Sequence, residues 1–587
     1  MSGHSRPRLA LVCCLIANMA MGPSGLWAQQ GASDVPTITI RTNSRLVVVD
    51  VVVTDKKGQP ISGLKADDFV LEEGGKKQKI SIFVPPGVAN AAATAPPPGV
   101  LSNRAENVSG GGVPTVLILD ALNSPFVNQA YARSQMLLYA AEQSQGGHTM
   151  AILALTDRLH VLQQFTSDPQ ALITAIKNFK PQEQALRPDA TRAESTVPTD
   201  VGSHGGAVAA SIALAQAEVA SFSGLQVAFD QERRTLITIE AMRTLSRMLG
   251  GLQGRKNVVW LTAVLPFDLI PENRNVTDAE LMAELPGEGR QRSAAINGGG
   301  SIQAEQRTLH NQDIREAETQ LASANIAIYP VDLHGLVGGA ENLSTASFAH
   351  NGDEHGAGMA NAALAQSSVL TNSQGTMREI AAETGGKAYI NQNEVKLGVS
   401  MAVADEKASY SLGYYPDNKK WDGKYRSIKI KLVQGDAEIR HRKGYFAIEP
   451  GPSKDHNFEQ DVAAALMVNA PATQISFRAQ AKPTDPGKIR VIFLVDAQTL
   501  TAEDSGGSKK MNVAFYAGLY DAKGKSLGIH SMKVDRAFDG PTYQQIVEKG
   551  MLVPLDMDVP AGATELRLAV LDNKTGLIGT VTGPIGQ

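Results

Sequence analysis

Three features of the 587-residue sequence predict a mixed chain built on a doubly wound, mostly parallel α/β sheet with flanking β-sandwich domains. The first is an alternation of short apolar runs with helical patterns between residues 114 and 407, as expected where helices cover both faces of a parallel sheet. The second is the near-continuous apolar character of those runs, of which Val116 to Leu119, ending on Asp120, is the clearest. The third is a return to period two on either side, in residues 36–84 and from 408 onward.

At this length about three or four domains are expected. A formal charge of −4 with 19% charged and 43% apolar residues gives no electrostatic reason to expect nucleic acid or an acidic membrane surface as partner. The N-terminus carries His4, Arg6 and Arg8, then an apolar stretch from Leu9 to Met21, then Leu26, Trp27 and Ala28. That order predicts a secretory signal over residues 1–28, with the mature chain starting near Gln29. The chain's two cysteines, Cys13 and Cys14, fall inside it, so the mature protein is expected to rely on packed cores rather than disulfides or cysteine-bound metal. No later run of about 18 apolar residues occurs, hence no transmembrane segment is expected after signal removal.

In chain order, Leu46 to Val53 is strongly β-branched and is followed by a turn at Lys57 to Pro60. Phe69 and Leu71 alternate with polar residues up to Gly74 and Gly75, a hairpin signal, and Ile80 and Ile82 alternate beyond it. Residues 36–84 are too few for a comfortable core. They are expected to join residues 408–447 in one discontinuous sandwich into which the α/β domain, 114–407, is inserted. Pro, Ala and Gly enrichment marks 85–113 as a linker. Inside the α/β domain, strands are predicted at Val116–Leu119, His148–Leu155, His160–Phe165, Val258–Thr262 and Ile326–Val331, and helices at Ala130–Glu142, Pro169–Phe179 and Thr376–Thr384. Three insertions interrupt it: 181–230, of mixed loop and Ala-rich helix; 264–304; and 336–373, both long enough to be functional or disordered.

After 407, Ile428, Ile430 and Leu432 share one face of a strand, while Ser427, Lys429 and Lys431 share the other. The basic cluster from Lys419 to Lys443 is therefore expected to be the solvated face of a sheet. Residues 455–587 are expected to form a C-terminal sandwich, with strands near 474–480, 488–496, 511–520, 526–534, 548–555 and 564–572.

Over residues 40–447 the chain resembles the von Willebrand factor A-related domain of bacterial secreted proteins, the family best known from acidobacteria. The resemblance rests on Leu46 to Asp55 with Gly58 to Leu64, Asp68 and Phe69; on the strand ending at Asp120; on Gly254 to Leu261; on Thr384, Gly385 and Gly386; and on Tyr410 to Pro416 with His441 to Phe446. It implies an A-type domain with a metal-ion-dependent adhesion site at the top of its sheet. That site takes an Asp-x-Ser-x-Ser motif after the first strand, a later Thr, and an Asp after the fourth strand, which together suit Mg²⁺.

Asp120 and Ser124 match the first and last motif positions, but Leu122 occupies the middle and Ala263 the place of the later Asp, with Asp268 too far along. Asn123, Thr235 and Thr238 are weaker candidates. Two readings stand: a degenerate, water-rich Mg²⁺ site, or a strand-end cap in which Asp120 and Ser124 bond nearby backbone amides. The resemblance implies a secreted or periplasmic binding or adhesion protein with a protein partner and no enzymatic activity. The alternatives are an envelope scaffold without ligand binding, or a secreted hydrolase with its site in the 264–373 insertions. The hydrolase reading rests on His334, placed after a strand end, and on the cluster His350, Asp353, Glu354 and His355. The run from Gly250 to Lys256 lacks the spacing of a phosphate loop and reads as a glycine helix stop.

Overall fold

The structure, a computed structural model, describes residues 46–87, 95–108, 114–142, 149–181, 206–267, 313–335, 370–392, 395–448 and 457–585. The expected signal segment, residues 36–45, most of the three insertions, Asp268 and the His350–His355 cluster lie outside the described residues.

The N-terminal β segment forms β1 (Val47–Thr54), β2 (Phe69–Glu73), β3 (Lys76–Gln78) and β4 (Ile80–Val84). Gly74 and Gly75, at φ 54 and 78, make the tight turn that sets Glu73 opposite Lys76. Next come β5 (Val100–Ser102) and α1 (Ala105–Val108), inside the stretch expected to be a linker. That expectation is corrected: β5 pairs antiparallel with residues 478–480 of the C-terminal module. The fully buried Asn103 then donates to the carbonyls of Ala472 and Ile475 and accepts from the Phe477 amide. A Pro- and Ala-rich composition hid a short strand that pairs with a distant sheet.

The α/β domain follows as β6 (Thr115–Asp120), α2 (Phe126–Glu142), β7 (Met150–Leu155), β8 (Leu159–Thr166), α3 (Pro169–Asn178), α4 (Gly206–Leu249), β9 (Lys256–Thr262), α5 (313–323), β10 (Ile326–Asp332), α6 (370–384) and α7 (Val395–Ala404). The strand order is β10-β9-β6-β7-β8, with β8 antiparallel to β7 and the other neighbours parallel. Alternate residues of β6 enter different cores. Val116 and Ile118 pack with Ile239 and Leu245 of α4, Ile314 and Leu321 of α5, and Met377 of α6. Leu117 and Leu119 pack with Met136 of α2, Leu172 of α3 and Val399 of α7. A strand buried on both sides needs an apolar residue at every position, which is why its period-two signal vanishes. Within the insertion expected at 181–230 as mixed loop and Ala-rich helix, the part from residue 206 onward belongs to α4, which runs unbroken for 44 residues.

The second β segment supplies β11 (Ser409–Tyr414), β12 (Tyr425–Leu432), β13 (Glu438–Arg440) and β14 (Gly444–Phe446). Its strands interleave with those of the first in two sheets, ordered β13-β1-β11-β4 and β14-β12-β2-β3. Val47, Val49, Val51 and Val53 face their shared core with Phe69, Leu71 and Tyr410. Fully burying each valine contributes roughly 1.5 kcal/mol or more. The opposite face of β1, with Asp50 and Val52, is buried as well. The basic cluster divides: Lys429 and Lys431 are solvent-exposed as expected, but Arg426 and Arg442 are buried, correcting the view of one solvated face. Arg426 lies against the buried Glu73 and the rings of Trp421 and Tyr445.

The C-terminal module begins with α8 (Phe458–Met467), followed by β15 (Phe477–Pro483), β16 (Lys488–Val495), β17 (Glu503–Ser505), β18 (Ser508–Tyr520), β19 (Ser526–Phe538), α9 (Gly540–Lys549), β20 (Met551–Asp558), β21 (Glu565–Asp572) and β22 (Ile578–Pro584). One sheet is ordered β20-β16-β15-β5; in the other β17, β18, β21 and β22 are successive neighbours and β19 also pairs with β18. Phe477, Phe493 and Phe515 pack between them. The whole is a mixed α/β chain of several sheets, and among the described residues no helix is long and apolar enough to cross a membrane.

Candidate functional site

β6 delivers Asp120 to the carboxyl edge of the α/β sheet, where the chain turns through residues 121–125 into α2. The turn is tied down from both ends. The amides of Ala121 and Leu122 donate to the Leu155 carbonyl of β7, and Gln129 Nε2 of α2 donates to the carbonyls of Ala121 and Ser124.

Asp120 is fully buried. Its Oδ1 accepts the Asn123 amide at 2.9 Å. Its Oδ2 accepts Asn123 Nδ2 at 3.0 Å, Trp260 Nε1 at 3.1 Å and Thr262 Oγ1 at 2.9 Å. Burial raises the carboxyl's pKa above the ordinary aspartate value, and the four donors oppose that shift. Asn123 also donates from Nδ2 to Thr238 Oγ1 of α4 at 3.1 Å. Ser124 Oγ accepts the Ala263 amide at 3.0 Å. Thr235, one turn earlier on α4, donates to the carbonyls of Gln231 and Pro266.

Asp120, Asn123, Ser124 and Thr238 thus converge in one buried hydrogen-bonded group, while Thr235 holds the loop after β9. Trp260 and Thr262, which sequence reasoning treated only as strand residues, are partners of Asp120. Pairing of β6 with β9 sets Leu119 opposite Leu261 and so brings both strand ends level.

These residues do not fit a magnesium ion. Mg²⁺ takes six hard oxygens in near-octahedral geometry. Here both oxygens of the one carboxylate are engaged by donors, and the Thr238 and Ser124 hydroxyls already accept an amide N–H. Leu122, at the middle motif position, packs into the apolar core on the α4 side, and Ala263 offers only its backbone. Among the described residues no group of three His, Cys, Asp or Glu side chains stands where it could hold a metal. Among the described residues Asn123 Oδ1 is buried without a hydrogen-bond partner. Turning the amide over would place that oxygen against the carboxylate, so Asp120 fixes its orientation.

A second strand end lies along the same edge. Asp332, at the end of β10, accepts the His334 amide at 3.0 Å, stands 2.7 Å from His334 Nδ1, and accepts Gln374 Nε2 of α6 at 2.9 Å. The imidazole is partly exposed, and among the described residues no hydroxyl or thiol is hydrogen-bonded to it. The arrangement orients a histidine in a turn, and among the described residues it holds no nucleophile against the ring. At the other end of the sheet, Gly254 takes φ 70 in the turn after α4, and Lys256 donates to the Ala324 carbonyl inside the protein. The Gly250–Lys256 run is a helix terminus, not a phosphate cradle.

At the start of α2, just past the 121–125 turn, Phe126 at 46% and Val127 at 76% exposure are both large apolar side chains on the rim. Asn128 beside them donates to the Leu333 carbonyl at 2.7 Å, fixing the first turn of α2 to the end of β10.

No family model matches the chain, and no curated protein matches it. Among solved structures, a von Willebrand factor type A protein from Catenulispora acidiphila aligns at 9% identity over 94% of this chain and 75% of that one, with a TM-score of 0.20. An endonuclease/exonuclease/phosphatase from Beutenbergia cavernae aligns at 12% identity over 31% of this chain and 39% of that one, with a TM-score of 0.12. Superpositions this loose carry no weight for either an adhesive or a nucleolytic role.

Proposed function

We propose that the protein is a secreted or periplasmic binding protein whose central domain, of the doubly wound von Willebrand factor A type, engages a protein partner at the carboxyl rim of its sheet without a bound metal. Parallel strands with apolar cores on both faces support that domain type, and the N-terminal signal pattern supports the compartment. The observation that carries the binding reading is the exposed pair Phe126 and Val127, standing on a rim whose loop is held rigid by Asp120, Gln129 and Asn128. Adjacent apolar side chains on a fixed turn lose little conformational entropy when a partner covers them. The loop needs no ion for this, since both oxygens of Asp120 already accept hydrogen bonds.

A pull-down from the native envelope, with and without Mg²⁺ and a chelator, tests both halves of the proposal. The expected result is a partner retained equally in chelator and lost from a Phe126→Ser, Val127→Ser double variant that unfolds at the wild-type temperature. Capture that requires Mg²⁺ would overturn metal independence. A double variant that retains the partner would remove the rim from the account and leave a scaffold without ligand binding as the better reading.

A further inference from the structure

The amino edge of the same sheet, opposite the rim, docks on the β1–β11 sheet through charged side chains withdrawn from solvent. Arg255, Lys256, Arg442, Asp50 and Asp405 are all more than nine-tenths buried. Asp405 is matched by Arg440, which holds both its oxygens at 2.7 and 2.8 Å. Among the described residues Asp50 is the carboxylate left to face Arg255, Lys256 and Arg442. Among the described residues none of those three cations comes within ion-pair distance of a carboxylate: Arg255 donates to Asn257, Tyr329 and the Gly385 carbonyl, Lys256 to the Ala324 carbonyl, and Arg442 to the Val48 carbonyl. Among the described residues Arg442 Nε is buried with no hydrogen-bond partner. Asp50 itself already accepts from Ser411 Oγ.

Asp50, Arg255, Asn325, Thr384 and Arg442 surround a cavity of about 10 Å³ at this joint. We infer that the cavity is a binding site for one monatomic anion of chloride size, held between Arg255 and Arg442 and joining the α/β domain to the β frame. The size decides among anions: space for roughly one water-sized occupant excludes phosphate and sulfate, each with five heavy atoms. Charge decides between an anion and a neutral water. A water would fill the cavity but leave three buried cations against one carboxylate, an imbalance that is costly in a low-dielectric interior. Burial accordingly depresses the Lys256 pKa to about 8 and pushes that of Arg442 down, with Asp50 acting against both shifts.

Two measurements on the purified protein test the site. Crystals grown in bromide should show an anomalous peak in the cavity between the Arg255 and Arg442 side chains. Thermal unfolding in chloride, compared with gluconate at the same ionic strength, should show a saturable rise of several degrees that is absent from Arg442→Gln. Lack of bromide at the cavity, or a melting temperature that follows ionic strength alone, would overturn the proposal. Both readouts on the wild-type chain decide the matter even where Arg442→Gln does not fold.

Discussion

Asp120 concentrates the chemistry of the carboxyl rim in one side chain, because β6, β9 and the 121–125 turn all end on its two oxygens. An asparagine has the same shape but only one acceptor oxygen. Whichever way its amide is turned, its NH₂ meets an N–H or O–H that Asp120 accepts. Asp120→Asn is therefore expected to destabilise the protein by about 1–3 kcal/mol, the cost of leaving a buried donor unsatisfied. Urea unfolding at neutral pH measures it, and a variant as stable as the wild type would mean that the four donors are not held on the carboxylate. The strand end at Asp120 is legible in the sequence, since an apolar run stops there on a polar residue. Its partners are not. Trp260 and Thr262 lie about 140 residues away, and which residues stand level depends on a parallel register that no local pattern discloses. The resemblance placed Ser124 and Thr238 near the site; it could not tell a metal ligand from a hydroxyl that caps a loop.

At the scale of elements, the turn after α6 shows how a short motif positions a helix against a strand. Thr384 Oγ1 accepts the Ile328 amide of β10 at 3.0 Å, and Gly385 adopts φ 75, a left-handed conformation that ends the helix. Gly386 then passes so close to β10 that a Cβ would stand 1.9 Å from the Ile328 carbonyl oxygen. Since both sides of that contact are backbone, neither can turn aside. Gly386→Ala is expected to cost about 1–3 kcal/mol by overpacking, seen as a lower urea midpoint, whereas Gly375→Ala on the same helix, with open space around it, should be neutral or slightly stabilising. Equal effects at the two positions would sink this account of the motif. Elements with strong local signals, such as β6, β12 and α3, could be read from sequence. The missed ones have weak or mixed signals. β22 is rich in glycine and threonine and ends on Pro584, so its pairing with β21 outweighs poor strand propensity. α9 occupies part of the stretch read as a strand near 548–555, although Asp539 capping Thr542 and Pro541 in the first turn are ordinary helix-start features.

The whole molecule is held together at joints where polar groups from distant segments satisfy one another. Thr473 is one such point: its amide donates to Arg247 and its hydroxyl to Met248, so a residue of the C-terminal module completes the last turn of α4. The buried charges beneath the sheet form another, and their titration is a property of the assembled chain. Lys256 is fully buried, and its pKa falls from 10.5 to about 8 because burial disfavours the ammonium more than Asp50 supports it. Between about pH 8 and 10.5 the folded protein then binds fewer protons than the unfolded chain, so this lysine makes stability rise with pH across that window. Below pH 8 both states carry the charge and the desolvation cost is present in full, roughly 3–4 kcal/mol. Urea unfolding at pH 8 and pH 10 in gluconate buffer, without chloride to occupy the joint, should show the wild type gaining stability relative to Lys256→Met, which has no proton to lose there. Tyrosines and the remaining lysines titrate in both proteins and cancel in the comparison. Parallel pH profiles for the two would mean that the ammonium reaches solvent and that the joint is not a closed, positively charged interior.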